Sequence, residues 1–375
     1  MRRPLIPLPK TTSVIERGIS EGLHLGCQLY ISVAGSVQAD LGFGEARLAA
    51  PLTRESILLW LSSAKPLTAV AIGQLWERGQ LNLEDPVAKI IPEFGQKGKG
   101  TVTTRHLLTH TGSIRTTDKC DLGEAWSEIL ACISEAELEP NSAPGRRAAY
   151  HPSGSWYLLG ELVRRIDGRP IEQYVRDEIG GPCGMTDTWL ALPADQFRRY
   201  GERIAFMYHT DRQPPTPHRR WNTATEAAIC RPGRNGRGPA RALGRFYETL
   251  LALRDGREAA PILKTETVRQ MTQRQRRGMF DDTFQQVIDW GLGFALDSKT
   301  PVRELVSYGF GRFASHETFG HGGSQSSCAY ADPVHQLAVA WACNGLPGER
   351  RHQQRAHALN SAIYEDLGLD RAPAG

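Results

Sequence analysis

Short β-type runs gather at the two ends of this 375-residue chain, while its middle carries apolar residues at helical spacing, and that order constrains the fold more than any single motif. Residues 26–33 (GCQLYISV) and 38–42 are separated by Ala34-Gly35-Ser36, which predicts a hairpin near the start. From Trp290 onward the runs 291–296, 305–310, 318–321, 328–331 and 337–343 are divided by Gly, Asp and Pro, and a helix over 348–367 closes the chain. Between them, Leu67, Val70, Ala71, Leu75 and Trp76 follow Ser62 at helical spacing, threonines are placed to cap a helix at 101–110, and Asp167-Gly168 ends another. Residues 213–239, rich in Pro, Gly, Asn and Arg, predict a long loop. The expected fold is α+β, an α/β sandwich. One antiparallel β-sheet flanked by helices is formed from both chain ends (residues 1–65 and 285–375), and a mostly helical domain (66–284) is inserted between them. A cleft should lie where the two meet, a preferred place for ligands.

A chain of this length with 40% hydrophobic residues can bury a sizeable core. No run approaches the roughly 20 apolar residues that would span a bilayer. A net charge of +4 is too small to indicate nucleic acid. Prolines among the first ten residues interrupt any apolar run of the kind an export signal needs, so the expected address is cytoplasmic. The seven cysteines are scattered, with no Cys-x-x-Cys pair, and are expected to be reduced thiols, Cys27 and Cys328 among them as small core residues. The histidines form no metalloprotease-type pair with a glutamate between them, so neither a metal nor a cofactor is expected.

Ser62-x-x-Lys65 places a hydroxyl and an amine three residues apart, on one face of a helix. A serine hydroxyl is a weak nucleophile at neutral pH, and a lysine can take its proton if burial depresses the amine's pKa. Lys65 is the sole charged residue from Ile57 through Leu75, so the local sequence offers burial and no solvated face. Pro66 agrees with a helix opening near Ser62, because its missing amide hydrogen would be unpaired in the first turn.

Ser62-Ser63-Ala64-Lys65, His106-Leu107-Leu108-Thr109-His110, Tyr150-His151 and His321-Gly322-Gly323 occur in an order that resembles the serine β-lactamase and penicillin-binding superfamily, most of all class C β-lactamases and family VIII carboxylesterases. The resemblance runs from about Gly26 to Asn344. It implies Ser62 as the acylated nucleophile, Lys65 as base or proton relay, and Tyr150 as the phenol or phenolate that shuttles a proton to the leaving group. It also implies His321, Gly322 and Gly323 as the strand against which substrate lies, with the amide of Ser324 joining that of Ser62 as an oxyanion hole. His151 is a further expected substrate contact. Two departures stand out. His321-Gly322-Gly323 occupies the place of Lys-Thr-Gly, removing the groups that hold a β-lactam carboxylate, and Pro152 occupies the third position of Tyr-x-Asn.

These features imply a serine acyl-enzyme catalyst acting on a small polar ester or amide, as an esterase or as an ester-to-amide transacylase with an amine acceptor, in cytoplasmic and biosynthetic metabolism. A β-lactamase or D-aminopeptidase-like hydrolase is one alternative, and a non-catalytic penicillin-binding sensor module another. Arginines crowd the segment 198–245, and Arg234 and Arg237 are expected to border the cleft and receive an anionic substrate, because guanidinium forks bind carboxylate and phosphate.

Overall fold

The computed structural model describes residues 6–122 and 125–370. Seven antiparallel strands form one sheet. From the N-terminal end come β1 (Gly26–Val33), β2 (Ser36–Arg47) and β3 (Ala50–Pro51); from the C-terminal end come β4 (Ala295–Leu296), β5 (Phe319–Gly323), β6 (Ser327–Asp332) and β7 (Leu337–Cys343). Their spatial order is β4-β5-β6-β7-β1-β2-β3, so the two ends of the chain meet at the β7–β1 seam, where Cys27 faces Cys343 and Val33 faces Leu337. Ala34 and Gly35 turn the first hairpin with φ of 48° and 78°, the left-handed pair whose twist matches the flanking strands.

The side-chain alternation along β7, Leu-Ala-Val-Ala-Trp-Ala-Cys, explains how both faces of the sheet are covered. Five helices do most of the covering and positioning: α1 (Pro9–Ser20), α2 (Lys65–Glu77), α3 (Gly154–Asp167), α4 (Ala240–Arg254) and α5 (Glu349–Asp366). Leu337, Val339 and Trp341 join Leu29, Ile31, Leu359 and Ile363 in an apolar layer against the terminal helices α1 and α5. Ala338, Ala340 and Ala342 line the other face, where their small size admits α4 closely. Gly244 of α4 lies so near the sheet that a Cβ there would meet the Tyr30 ring at 2.1 Å. The helix α2 is buried along nearly its whole length, from Lys65 to Leu75, at the centre of the larger core.

Several expectations change. Helix α1 was not foreseen; Thr11, Ile15 and Gly18 are its buried residues. Residues 305–310 form no strand, because Tyr308 takes a left-handed φ of 55° that breaks an extended run. Helix α4 falls within the span 66–284 yet packs on the sheet. The long loop at 213–239 holds a short helix, Ala224–Ala228, and fully buried arginines. The expectation of seven reduced thiols is corrected: Cys120 and Cys132 form a disulfide, brought together because the helix Trp126–Glu135 folds back on the segment Arg115–Leu122. Cys27 and Cys328 are buried thiols, as expected. Among the described residues, no helix is long and apolar enough to cross a membrane.

Candidate active site

The buried run Ile57 to Leu61 enters the site through a strained turn. Leu61 has a φ of 49°, an uncommon value for a residue of its size, and the 3-10 turn Leu61–Ala64 then delivers Ser62 before α2 begins at Lys65. The turn is stitched to β5 and β6: Ser63 Oγ donates to the carbonyl of His321 at 3.0 Å, and Ser327 Oγ donates to that of Trp60 at 2.6 Å. Gly323 makes this approach possible, since a Cβ there would lie 2.2 Å from the Trp60 carbonyl oxygen.

Lys65 is wholly buried, with its Nζ 2.9 Å from Ser62 Oγ. The same nitrogen donates to the carbonyls of Pro152 at 2.8 Å and Gly233 at 2.5 Å, and it lies over the rings of Tyr150 and Trp156 at 5.2 and 5.4 Å. Position 152 therefore supplies a main-chain acceptor where an amide side chain is missing. Burial lowers the amine to about 7; the carboxylates of Asp118 and Asp121 pull it upward, and Arg234 presses it down.

Tyr150 is held from both sides of its backbone. Its amide donates to Asp281 Oδ1 at 3.1 Å, and its carbonyl accepts from Thr283 Oγ1 at 3.0 Å. Its ring packs among His110, Phe284, Trp290 and His321 at centroid separations of 4.7 to 5.9 Å. Burial drives its phenol well above the ordinary range, partly offset by a hydrogen bond with Ser62. The tyrosine is therefore protonated at neutral pH while the lysine is close to half neutral, which separates an acid from a base within one site.

A cavity of about 370 Å³ opens beside these groups. Ser62, Tyr150, His321, Gly322 and Ser324 form its reactive wall, and Phe284, Ile288, Trp290 and Tyr308 give it an aromatic and aliphatic lining. His321 donates from Nδ1 to the Gly322 carbonyl at 2.7 Å if that nitrogen carries the proton, and burial together with the Lys65 charge lowers its pKa to about 3. It is neutral at pH 7 and supplies no cation. Gly322 is pressed by Tyr308, whose ring would meet a Cβ at 2.5 Å.

Ser62, Lys65 and Tyr150 thus come together, with His321, Gly322 and Ser324 beside them. Other expectations require correction. His151 does not line the cavity: it follows Tyr150 on the opposite side of the chain, is fully buried, and pairs Nδ1 with Ser155 Oγ at 2.7 Å while its amide donates to His110 Nδ1. Gly323 faces the nucleophile's turn and not the cavity. Arg234 and Arg237 do not line the cavity either. Arg237 is buried and donates to the Trp221 carbonyl, and Arg234 binds Asp121 and reaches Glu226. With the buried Arg231, Arg234 clasps the same two carboxylates, and Asp121 in turn accepts from Ser153 Oγ and Tyr157 OH. Gly233, whose carbonyl accepts from Lys65, lies in the chain between these two paired arginines. Sequence reasoning missed Gly233, Asp118, Asp121, Asp281 and the cavity's aromatic wall; the run Arg231-Pro232-Gly233-Arg234 carried a signal, read for charge when its use is a tight backbone approach.

The fold and the family place this chain among the serine hydrolases. The Beta-lactamase family model matches residues 12–363, and the chain belongs to that family. It is similar to the esterase/beta-lactamase LipL of Mycobacterium tuberculosis, 26% identical over 351 residues that cover 86% of this chain and 77% of the relative. Among solved structures, a penicillin-binding protein homolog from Caulobacter crescentus superposes with a TM-score of 0.80 at 26% identity, covering 97% of this chain and 99% of its own. A family VIII carboxylesterase, 24% identical, reaches a TM-score of 0.77 over 98% of this chain and 99% of its own, a likeness of fold.

Proposed function

We propose that this chain takes the acyl group of a small ester onto Ser62, with the neutral amine of Lys65 as base and the phenol of Tyr150 as the donor that leads a proton to the leaving group. The observation that carries this reading is the wholly buried Lys65 Nζ at 2.9 Å from Ser62 Oγ, with its pKa lowered to about 7. Ser62 Oγ bonds to the ester carbonyl carbon as its proton passes to Lys65. The oxyanion is met by the amides of Ser62 and Ser324. The carbon–oxygen bond to the alcohol then breaks as that oxygen gains a proton from Tyr150, which recovers one from Lys65. Water or an amine releases the acyl group by the same path in reverse. A β-lactam carboxylate meets only a neutral histidine at position 321, which favours esters over penicillins. The Cys120–Cys132 disulfide favours an oxidising surrounding over the reducing cytoplasm expected from the first ten residues.

Intact-protein mass spectrometry after exposure to activated esters tests the reading. One acyl mass should be gained by the native chain and none by Ser62→Ala; an adduct that survives in Ser62→Ala refutes it. Repeating the reaction with a primary amine distinguishes transfer from hydrolysis, since amide product marks the former.

The acylation rate has a defined pH dependence. Only the uncharged amine accepts a proton, so kcat/KM should rise about tenfold per unit up to about pH 7 and flatten above it. A profile that instead climbs only near pH 10 would mean that Lys65 is not tuned.

A further inference from the structure

The cavity's charge has the opposite sign to the one the arginine-rich segment suggests. Glu349 is the single charged side chain among the described residues that line it. Its Oε2 accepts from Tyr308 OH at 2.8 Å, and among the described residues no Lys, Arg or His forms an ion pair with it. This is unexpected for a carboxylate followed directly by Arg350 and Arg351 in a chain with 45 basic residues. Helical geometry explains it: Glu349, His352 and Gln353 lie at i, i+3 and i+4 on α5, so Glu349, although solvent-exposed like the two arginines, joins Gln353 in lining the mouth of the cavity.

Tyr308 links this carboxylate to the reactive wall. Its backbone is held at a φ of 55°, its hydroxyl accepts from the amide of Gln325, next to Ser324, and Gln325 Oε1 accepts from the amide of Gly348 at the start of α5. Burial keeps the phenol protonated, so it donates to Glu349. Its ring lies 5.8 Å from that of Phe284, giving two aromatic faces beside one carboxylate. Aromatic faces attract alkylated ammonium groups through the ring quadrupole.

We propose, resting on the acyl-enzyme reading, that Tyr308, Phe284 and Glu349 select an ester that carries an ammonium group. The strained backbone at Tyr308 is then a specificity device: it turns the ring toward the cavity and its hydroxyl to the carboxylate.

Two pairs of esters test this. In one pair the acyl part ends in trimethylammonium or in the isosteric tert-butyl group; in the other the alcohol part does. At low ionic strength kcat/KM should favour the cation by about tenfold in at least one pair, and that pair identifies which part of the ester meets Glu349. Glu349→Gln, which can still accept from Tyr308, should cut the ratio to about threefold, and 1 M salt should narrow it in the native chain. Ratios near one in both pairs, or a ratio unmoved by both the variant and salt, overturn the selection while leaving acylation of Ser62 intact. Failure of all four esters to acylate Ser62 removes both readings.

Discussion

Lys65→Arg is expected to lower the rate of Ser62 acylation by about 10³- to 10⁴-fold although it preserves a positive charge. A guanidinium does not lose its proton at any accessible pH, so it cannot accept one from Ser62. It is also broader than the amine that fits between the Tyr150 and Trp156 rings and the carbonyls of Pro152 and Gly233. Lys65→Met isolates the chemistry from the fit and should lose a similar factor, measured as the rate of acyl-mass gain. The two proteins should also differ in stability with a definite sign. The folded amine titrates near 7 and the exposed one near 10.5, so between those values the unfolded chain binds more protons and stability rises with pH. Relative to Lys65→Met, the native chain should therefore gain a few kcal/mol between pH 7 and 10, read from urea unfolding midpoints. Equal activity in Lys65→Arg would show that Lys65 acts only by its charge.

The parts of the site that were legible in the sequence are those fixed by local spacing. Ser62 and Lys65 lie three residues apart where a turn becomes a helix, so their meeting follows from helical geometry, and the absence of other charges near Lys65 announces its burial. The sheet from both chain ends was legible for a similar reason, since β7 and β1 are near-continuous apolar runs and must be covered on both faces. Groups that reach the site across long sequence separations were not legible. Gly233 approaches Lys65 from 168 residues away, and nothing in Arg-Pro-Gly-Arg distinguishes a carbonyl clamp from a substrate-binding fork until Asp121 and Glu226 are seen to occupy the guanidinium groups. His151 shows the limit of reading a motif as a block: adjacent residues of an extended segment point to opposite sides, so Tyr150 faces the cavity and its neighbour faces the core. The Cys120–Cys132 pair was missed because it depends on a helix reversing the chain, which cysteine spacing does not encode.

Asp281→Ala should destabilise the fold by about 3–5 kcal/mol, because it leaves a buried guanidinium without its counter-charge. Asp281 and Arg276 are both almost fully buried and meet at 3.0 Å, and Arg276 also donates to the carbonyls of Thr109 and Ile288. The carboxylate's other oxygen accepts from the amides of Tyr150, Thr283 and Phe284 at 2.9 to 3.1 Å, so the same deletion frees the backbone that positions Tyr150 and one wall of the cavity. Asp281→Asn separates the two roles. Its amide oxygen can still receive the three amides while its nitrogen offers Arg276 no charge, so much of the stability loss should remain while kcat recovers relative to Asp281→Ala. KM should move less than kcat in both variants, since Asp281 is a positioning residue for Tyr150 and lies outside the cavity lining. If Asp281→Ala unfolds within about 1 kcal/mol of the native chain, the buried pair is not the anchor of this segment, and Tyr150 must be held by the Thr283 hydroxyl and its aromatic neighbours.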